Sequence, residues 1–453
     1  LGLSNLFRDR IDESASYLLR QAALKGACGS DVLFSSRTGH MLSLREGEPE
    51  ENISGSSMGI GLRTIDKEGR QGIAYVNSLE KDDLHTLVEW SWNNCRLSEP
   101  DPDVCLCEAS RVQTGLQTSD PEMREIDPQF RLDACTAMTD LAVSADPRVE
   151  SVRSASWADG EGNILYVSSS GFSGWYHAST ASCGLALVMK GEESREMGGF
   201  GEESRLLASL DPVSISEEAV RRTSVILDGK PMQTGRYDLI LDPEATASLL
   251  EIIGELFLAS NVSKNKSLLR DHLGKRITSS PLTIIDDGAL PWGVASSPFD
   301  GEGCPTGKTV VMDNGTVTSF LCNLKYAKIM GIPSTGNASR GISTLPDVDI
   351  SNFYIQPGDV SREGVFSRVE KGLYIMEFLG LHTVDPVSGD FSVGIKGYYV
   401  EDGHHISAVS GMTVAGNLVD LLDRIDIIGN DLRFFGNIGG CTLVVRDVAA
   451  AGH

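Results

Sequence analysis

Aromatic side chains make up only 6% of the 453 residues, too few to suggest a stacking platform for single-stranded nucleic acid. Basic residues are also short, with 39 Lys and Arg against 63 Asp and Glu, a net charge of −24. Such a surface repels phosphate backbones and anionic membranes, so direct DNA binding is not expected and neutral or basic peptides are better-suited ligands. No apolar run approaches the roughly 18 residues that span a bilayer, and the opening LGLSNLFRDR lacks the apolar core of a signal peptide. Neither anchoring nor export is expected. The nine cysteines, from Cys28 to Cys441, are odd in number and have no regular spacing, which argues against a disulfide scaffold and for a reducing, cytoplasmic setting. Cys105 and Cys107 form a C-x-C with no second pair or nearby His, and read as two ordinary thiols.

The standard catalytic patterns are missing as well. None of the eight His has a second His one helical turn away with an adjacent Glu, as zinc hydrolases require. His404 and His405 are neighbours after Asp402-Gly403 and point apart at a solvated hairpin tip, while His272 and His382 stand alone. SGFSG at 170–174 falls short of the G-x-S-x-G elbow. GEGCPTGKT at 301–309 puts Glu302 where a phosphate loop needs Gly, and the following TVVMDNGTVTSF reads as a hairpin rather than a helix.

The residues present describe an α+β protein with ordinary globular composition, 41% hydrophobic and 23% charged. A helix is expected over 11–26, ended by Gly26, then strands over 31–77 and a helix over 80–92 begun by Asn77 or Ser78. A proline- and acid-rich connection follows, with a boundary near residue 115. The middle unit should hold a helix over 128–145, strands near 150–156, 163–168, 174–178 and 181–189, and a helix to about 227 opened by a Ser214/Glu217 capping box. From Gly235 onwards a largely antiparallel, β-rich domain with a few helices is expected, with Asn314-Gly315 and Asp402-Gly403 as hairpin turns. The units are thus 1–115, 116–234 and 235–453.

Asp242-Pro243 should cap and open a helix reaching about Ala259. Its Leu249, Leu250, Ile253, Leu256 and Phe257 share one arc, and Glu251 and Glu255 lie opposite as a solvated face. The paired acids Asp286-Asp287 and Asp300/Glu302, flanked by Gly and Pro, read as turn and cap residues.

Several ordered blocks of the C-terminal region carry a resemblance. GRYDLILDPEA (235–245), SPLTIIDDG (280–288), SSPFDGEGCPT (296–306), MGIPSTGNASRG (330–341), VSGDFSVGIKGYYVEDG (387–403) and TVAGNLVDLLDRIDIIGND (413–431) resemble the TldD/TldE (PmbA) family, and weaker similarity covers nearly all of the chain. The likeness is to the TldE/PmbA branch. In this family the TldD partner carries an H-E-x-x-x-H zinc helix completed by a Cys. Registration places Leu250 and Glu255 at the two His positions and Glu251 at the acid, while Cys441 aligns with a strand position. The resemblance therefore implies no cofactor in this chain, zinc in a TldD-like paralogue, a heterodimer with that paralogue or a homodimer when alone, and unfolded peptides as substrates. Asp300, Glu302, Asn337, Arg340 and Asp390 are candidates for lining a substrate groove. The family's naming after modulation of DNA gyrase implies an indirect effect through peptide processing. Two other readings stand beside this one: a peptide-binding protein that cleaves nothing, and a hydrolase that uses Glu251, Glu255 and other carboxylates.

Overall fold

Alternating side chains along residues 29–65 divide between two faces of a sheet. In the computed structural model, which describes residues 5–108 and 114–452, they form β1 (Gly29–Arg45) and β2 (Glu48–Ile65), followed by β3 (Gln71–Val76). The first four residues and 109–113 of the proline- and acid-rich connection lie outside the described residues. β4 (Val149–Ser168), β5 (Ser173–Lys190) and β6 (Arg195–Ser204) complete one antiparallel sheet in the order β3-β2-β1-β4-β5-β6. Because β1 pairs with β4, the regions expected at 1–115 and 116–234 share this sheet.

The four short strands expected between 150 and 189 are two long ones. Glycines interrupt the strand signal without interrupting the ladder: a Cβ on Gly160 would lie 2.8 Å from the Thr38 carbonyl oxygen of the neighbouring strand. β6, sequence REMGGFGEES, was not anticipated because Gly and Glu are poor strand formers.

Helices α1 (Asn5–Lys25) and α2 (Lys81–Leu97) cover one end of the sheet, where Ile11, Leu18 and Leu87 meet Val32, Phe34, Ile60 and Leu165. Helices α3 (Pro128–Ala145) and α4 (Pro212–Ser224) pack with Leu42, Leu44, Trp157 and Leu187. Two starts differ from expectation. The N-cap of α2 is Glu80, and that of α4 is Asp211, whose carboxylate accepts the Val213 and Ser214 N–H groups. An ionised cap followed by Pro212, with φ already set for a helix, outcompetes the Ser214/Glu217 box.

The C-terminal region opens with β7 (Gly235–Leu241) and α5 (Pro243–Leu256), capped as expected by Asp242, which accepts from the Glu244 N–H at 3.0 Å. The chain then supplies β8 (Ile284–Asp287), β9 (Lys308–Asp313), β10 (Thr316–Val317), β11 (Ala338–Ser339), β12 (Asp347–Val348) and β13 (Phe353–Ile355). It ends with β14 (Lys371–Leu379), β15 (Asp390–Glu401), β16 (His404–Asn417), β17 (Ile425–Ile428), β18 (Arg433–Phe435), β19 (Ile438–Gly440) and β20 (Leu443–Ala451). Strands β16, β15, β14, β7 and β20 close into a barrel through the pairing of Thr413 and Val414 with Ala451 and Ala450, and β17 flanks β20. A second sheet runs β10-β9-β8-β13-β19-β18. The pairings are antiparallel except β7 with β14 and β13 with β19. Both hairpin turns hold two residues at positive φ, Asn314-Gly315 at 45° and 79° and Asp402-Gly403 at 49° and 78°, as two-residue hairpins of the right twist require. The apolar arc of α5 enters the main C-terminal core, with Leu250 and Ile253 each 1% exposed.

Candidate functional site

The face of β1 opposite Val32 and Phe34 presents Leu33 and Ser35. With Ser57 and Gly59 of β2, Ile164 of β4 and Tyr176 of β5, it forms the floor of a groove of about 640 Å³. The facing wall is built from the C-terminal segments Ser297–Gly301 and Gly336–Ser343. A further hollow of about 470 Å³ continues past Ser57 over Gly39, Gly55, Ala158 and Thr180. At one end the wall touches the floor, and glycine makes that possible: a Cβ on Gly61 would lie 2.0 Å from the Ile342 carbonyl oxygen. Arg205, just after β6, donates to the carbonyls of Val294 and Ser296 at 2.6 and 3.0 Å and holds the approach to the wall.

Beneath that contact lies a buried charge cluster. Asp31 of β1 accepts from Arg63 Nε at 2.8 Å, from Arg340 Nη1 at 2.5 Å and from the Tyr166 hydroxyl at 3.2 Å. The Asp31 and Arg340 side chains are fully buried and Arg63 nearly so. Glu302 approaches the other side of Arg63, at 3.7 Å. Burial would raise the Asp31 pKa, but Arg63 and Arg340 outweigh it and hold the carboxyl below its usual range. Burial pushes Glu302 up despite Arg63. Sheet and wall are therefore joined by charges taken out of water, an arrangement that costs desolvation and tolerates no missing partner. Arg340 Nε and Nη2 meet no acceptor among the described residues.

Two more carboxylates shape the wall. Asp300, 7% exposed, accepts the N–H groups of Glu302 and Cys304 through Oδ1, both at 2.9 Å, and that of Ala338 through Oδ2 at 3.0 Å. Burial, with Glu302 adding repulsion, pushes its pKa up to about 7. Asp286 accepts from Ser351 N–H and hydroxyl, both at 2.6 Å, and from Asn337 Nδ2 at 2.7 Å, and burial raises it to about 6. Asp300 serves a turn, as its Gly-flanked setting suggested, but from the interior, whereas Asp286 lies within β8 rather than in a turn and ties that strand to Ser351 and Asn337. With its oxygens occupied by backbone donors, Asp300 orders the loop rather than presenting a free base.

Of the candidate groove residues, Asp300, Asn337 and Arg340 line the groove. Glu302 lies behind it, 3% exposed, accepting from the Leu324 N–H at 2.9 Å. Asp390 is elsewhere, at the start of β15, where it accepts from Asn417 Nδ2 at 2.9 Å. Asp31 and Arg63 were missed. A charged residue in the otherwise apolar IGLRTI was the available signal, and the hairpin register sets Asp31 opposite Arg63.

Leu250 lies in the core, whereas Glu251 and Glu255 are exposed on the opposite side of α5. Cys441 is fully buried between β19 and β20. A leucine buried in hydrocarbon and two outward carboxylates do not fit the zinc ion that the family resemblance implies for the corresponding helix. Among the described residues, no group of three or more His, Cys, Asp or Glu side chains could hold a metal ion, and no helix is long and apolar enough to cross a membrane.

Comparison with known proteins places these features in a family. Three PmbA/TldA metallopeptidase models match in order: domain 1 at residues 30–95, the central domain at 121–227 and the C-terminal domain at 234–452. The chain is 26% identical over 450 residues to the metalloprotease PmbA of Escherichia coli O157:H7, covering 98% of this chain and 97% of that protein. It is 25% identical to a metalloprotease TldD homolog of Buchnera aphidicola, covering 95% and 91%. Among solved structures, a candidate modulator of DNA gyrase from Bacteroides thetaiotaomicron superposes with a TM-score of 0.88 at 26% identity, covering 98% and 99% of the two chains. TldE from Thermococcus kodakarensis shares the fold, with a TM-score of 0.90 at 22% identity over 97% and 100%. Three successive domain matches, full-length relatives and one common fold together establish that this chain belongs to the PmbA/TldD metallopeptidase family.

Proposed function

We propose that this chain is the TldE/PmbA-type, non-catalytic subunit of a peptidase complex, and that its groove receives extended, unfolded peptides for a zinc-bearing TldD-like paralogue to cleave. The observation that carries this reading is the placement of Leu250, Glu251 and Glu255. The first is spent on the core and the other two face solvent, so the helix is built for packing rather than for holding an ion. The long track over β1, β2, β4 and β5 supports the peptide part. Beside it, residues 48–59 of β2 pair with β1 but have no strand partner on their other side among the described residues, an edge that suits a ligand held by main-chain pairing whatever its sequence. A net charge of −24 favours basic segments over acidic ones. The functional pair is then a heterodimer of paralogues, the reading being that one member retains the metal and the other contributes substrate-binding surface.

The test compares three preparations against a disordered basic peptide carrying a fluorophore and quencher: this chain, the paralogue from the same genome, and their mixture. Cleavage that rises on mixing, with zinc found in the paralogue, is the expected result. Cleavage by this chain unaided and abolished by a chelator would overturn the proposal, and binding with no cleavage in any preparation would favour a stand-alone peptide-binding protein.

A further inference from the structure

Cys107 lies in the connection after α2, and Cys304 in the segment between Asp300 and Thr306 that backs the groove wall. Their sulfurs are 2.8 Å apart, and the residues are 7% and 5% exposed. A disulfide bond is about 2.05 Å long, so forming one here asks the sulfurs to close by only about 0.8 Å. Both ends are held. The Cys107 carbonyl accepts from the Ser170 hydroxyl at 2.6 Å, and the Cys304 N–H donates to Asp300 at 2.9 Å. The two residues stand 197 positions apart in the chain, so this contact is a product of the tertiary fold.

We infer that Cys107 and Cys304 are an oxidative modification site, a dithiol that hydrogen peroxide converts to a disulfide tying the connection to the groove wall. One sulfur, as thiolate, attacks a peroxide oxygen. The O–O bond breaks, hydroxide leaves and takes up a proton as water, and a sulfenic acid remains. The second thiolate attacks that sulfur, the S–O bond breaks, and a second water departs. Two electrons leave the sulfur pair and one peroxide becomes two waters. The hydrogen bond with Cys107, together with burial, raises the Cys304 pKa, so its thiolate is scarce at neutral pH and oxidation quickens as pH rises. The closed form joins the segment after α2 to the loop ordered by Asp300 and limits how far the wall can move from the sheet. Cys105, two residues away and more exposed than Cys107, is the internal control.

The experiment treats the full chain with hydrogen peroxide, blocks remaining thiols with N-ethylmaleimide in denaturant without reductant, and maps the digest by mass spectrometry. The expected product is a Cys107–Cys304 linked peptide two hydrogens lighter than the separate pair. Its yield should rise between about pH 6.5 and about pH 8.5, with Cys105 still blocked by maleimide. Oxidised protein should also melt higher than reduced protein, and Cys107→Ser and Cys304→Ser should each abolish that difference. Both cysteines blocked by maleimide after the same exposure would overturn the inference, as would linkage of either to Cys105 or separate oxidation to sulfinic acids. The map on unaltered protein decides the matter even if a serine variant fails to fold, and it does not depend on peptide binding.

Discussion

Replacing Asp31 by Asn removes one charge with almost no change of shape, and the surroundings set the cost. The carboxylate accepts four bonds: Arg63 Nε at 2.8 Å, Arg63 Nη2 and Arg340 Nη1 at 2.5 Å, and Tyr166 at 3.2 Å. Asparagine offers one acceptor oxygen and turns an NH₂ group towards a guanidinium. Breaking a buried ion pair by removing one partner costs about 3–5 kcal/mol, and here two cations lose the same partner, so the upper part of that range is expected. Four of the five tryptophans (Trp90, Trp92, Trp157 and Trp175) lie in the N-terminal region, so urea unfolding followed by intrinsic fluorescence reports chiefly on the sheet that holds Asp31. A triple change, Asp31→Leu with Arg63→Met and Arg340→Met, removes Asp31 together with both of its cations; with Glu302, which loses Arg63, also changed to Gln, the set should cost less than Asp31→Asn alone. The folded pKa of Asp31 is depressed, so its stabilisation is present above the unfolded value near 3.8 and is lost as pH falls through the lower folded value. The gap between wild type and Asp31→Asn should therefore persist down to about pH 4 and close below it. A loss under about 1 kcal/mol for Asp31→Asn, or a fourfold variant weaker than the single one, would refute the argument that charge rather than shape holds sheet to wall.

Asp300 should show the opposite pH sign. Its folded pKa is raised from 3.8 to about 7, so its contribution is fully present below the unfolded value and lost as pH rises through the folded one. Melting temperature should fall between about pH 4 and about pH 7 and level off above, more steeply than in Asp300→Asn, and a protonated-carboxyl infrared band absent from that variant should titrate near neutrality; equal slopes would remove Asp300 as the cause. Gly61→Ala puts a methyl group 2.0 Å from the Ile342 carbonyl and should cost about 1–3 kcal/mol in thermal or urea unfolding. Gly55→Ala, with nothing within 4 Å of the added carbon, should be tolerated, and similar losses at both sites would contradict the close docking of the wall. Glu251→Ala combined with Glu255→Ala should leave the fold and the hydrolysis by the mixed complex unchanged; loss of hydrolysis with an intact fold would revive a catalytic role for those carboxylates.

What was legible in the sequence had both of its halves within a turn or two of chain. Asp242 capping a helix opened by Pro243, the apolar arc through Leu250 and Ile253, and the Asn-Gly and Asp-Gly turns all depend on neighbours a few residues away. Leu250, Glu251 and Glu255 could thus be assigned to core and surface correctly from spacing alone. The groove was not legible in that way. Its floor joins Leu33 to Ile164 and Tyr176 across a sheet whose connection passes through the Pro- and acid-rich stretch, and its wall is fastened by Arg340 to Asp31, 309 positions earlier. Nor could the burial of Asp300 and Glu302 be read from DGEGCP, because a Gly-flanked acid has the same local pattern whether its turn faces solvent or a second domain. Local pattern specifies an element, while the value of a charge depends on what the fold brings against it. That is why Arg63, an anomaly inside an apolar strand, was a better pointer to the site than any of the glycine-rich blocks. A guanidinium in such a strand has to be paid for by an acid elsewhere, and finding that acid locates the contact between sheet and wall.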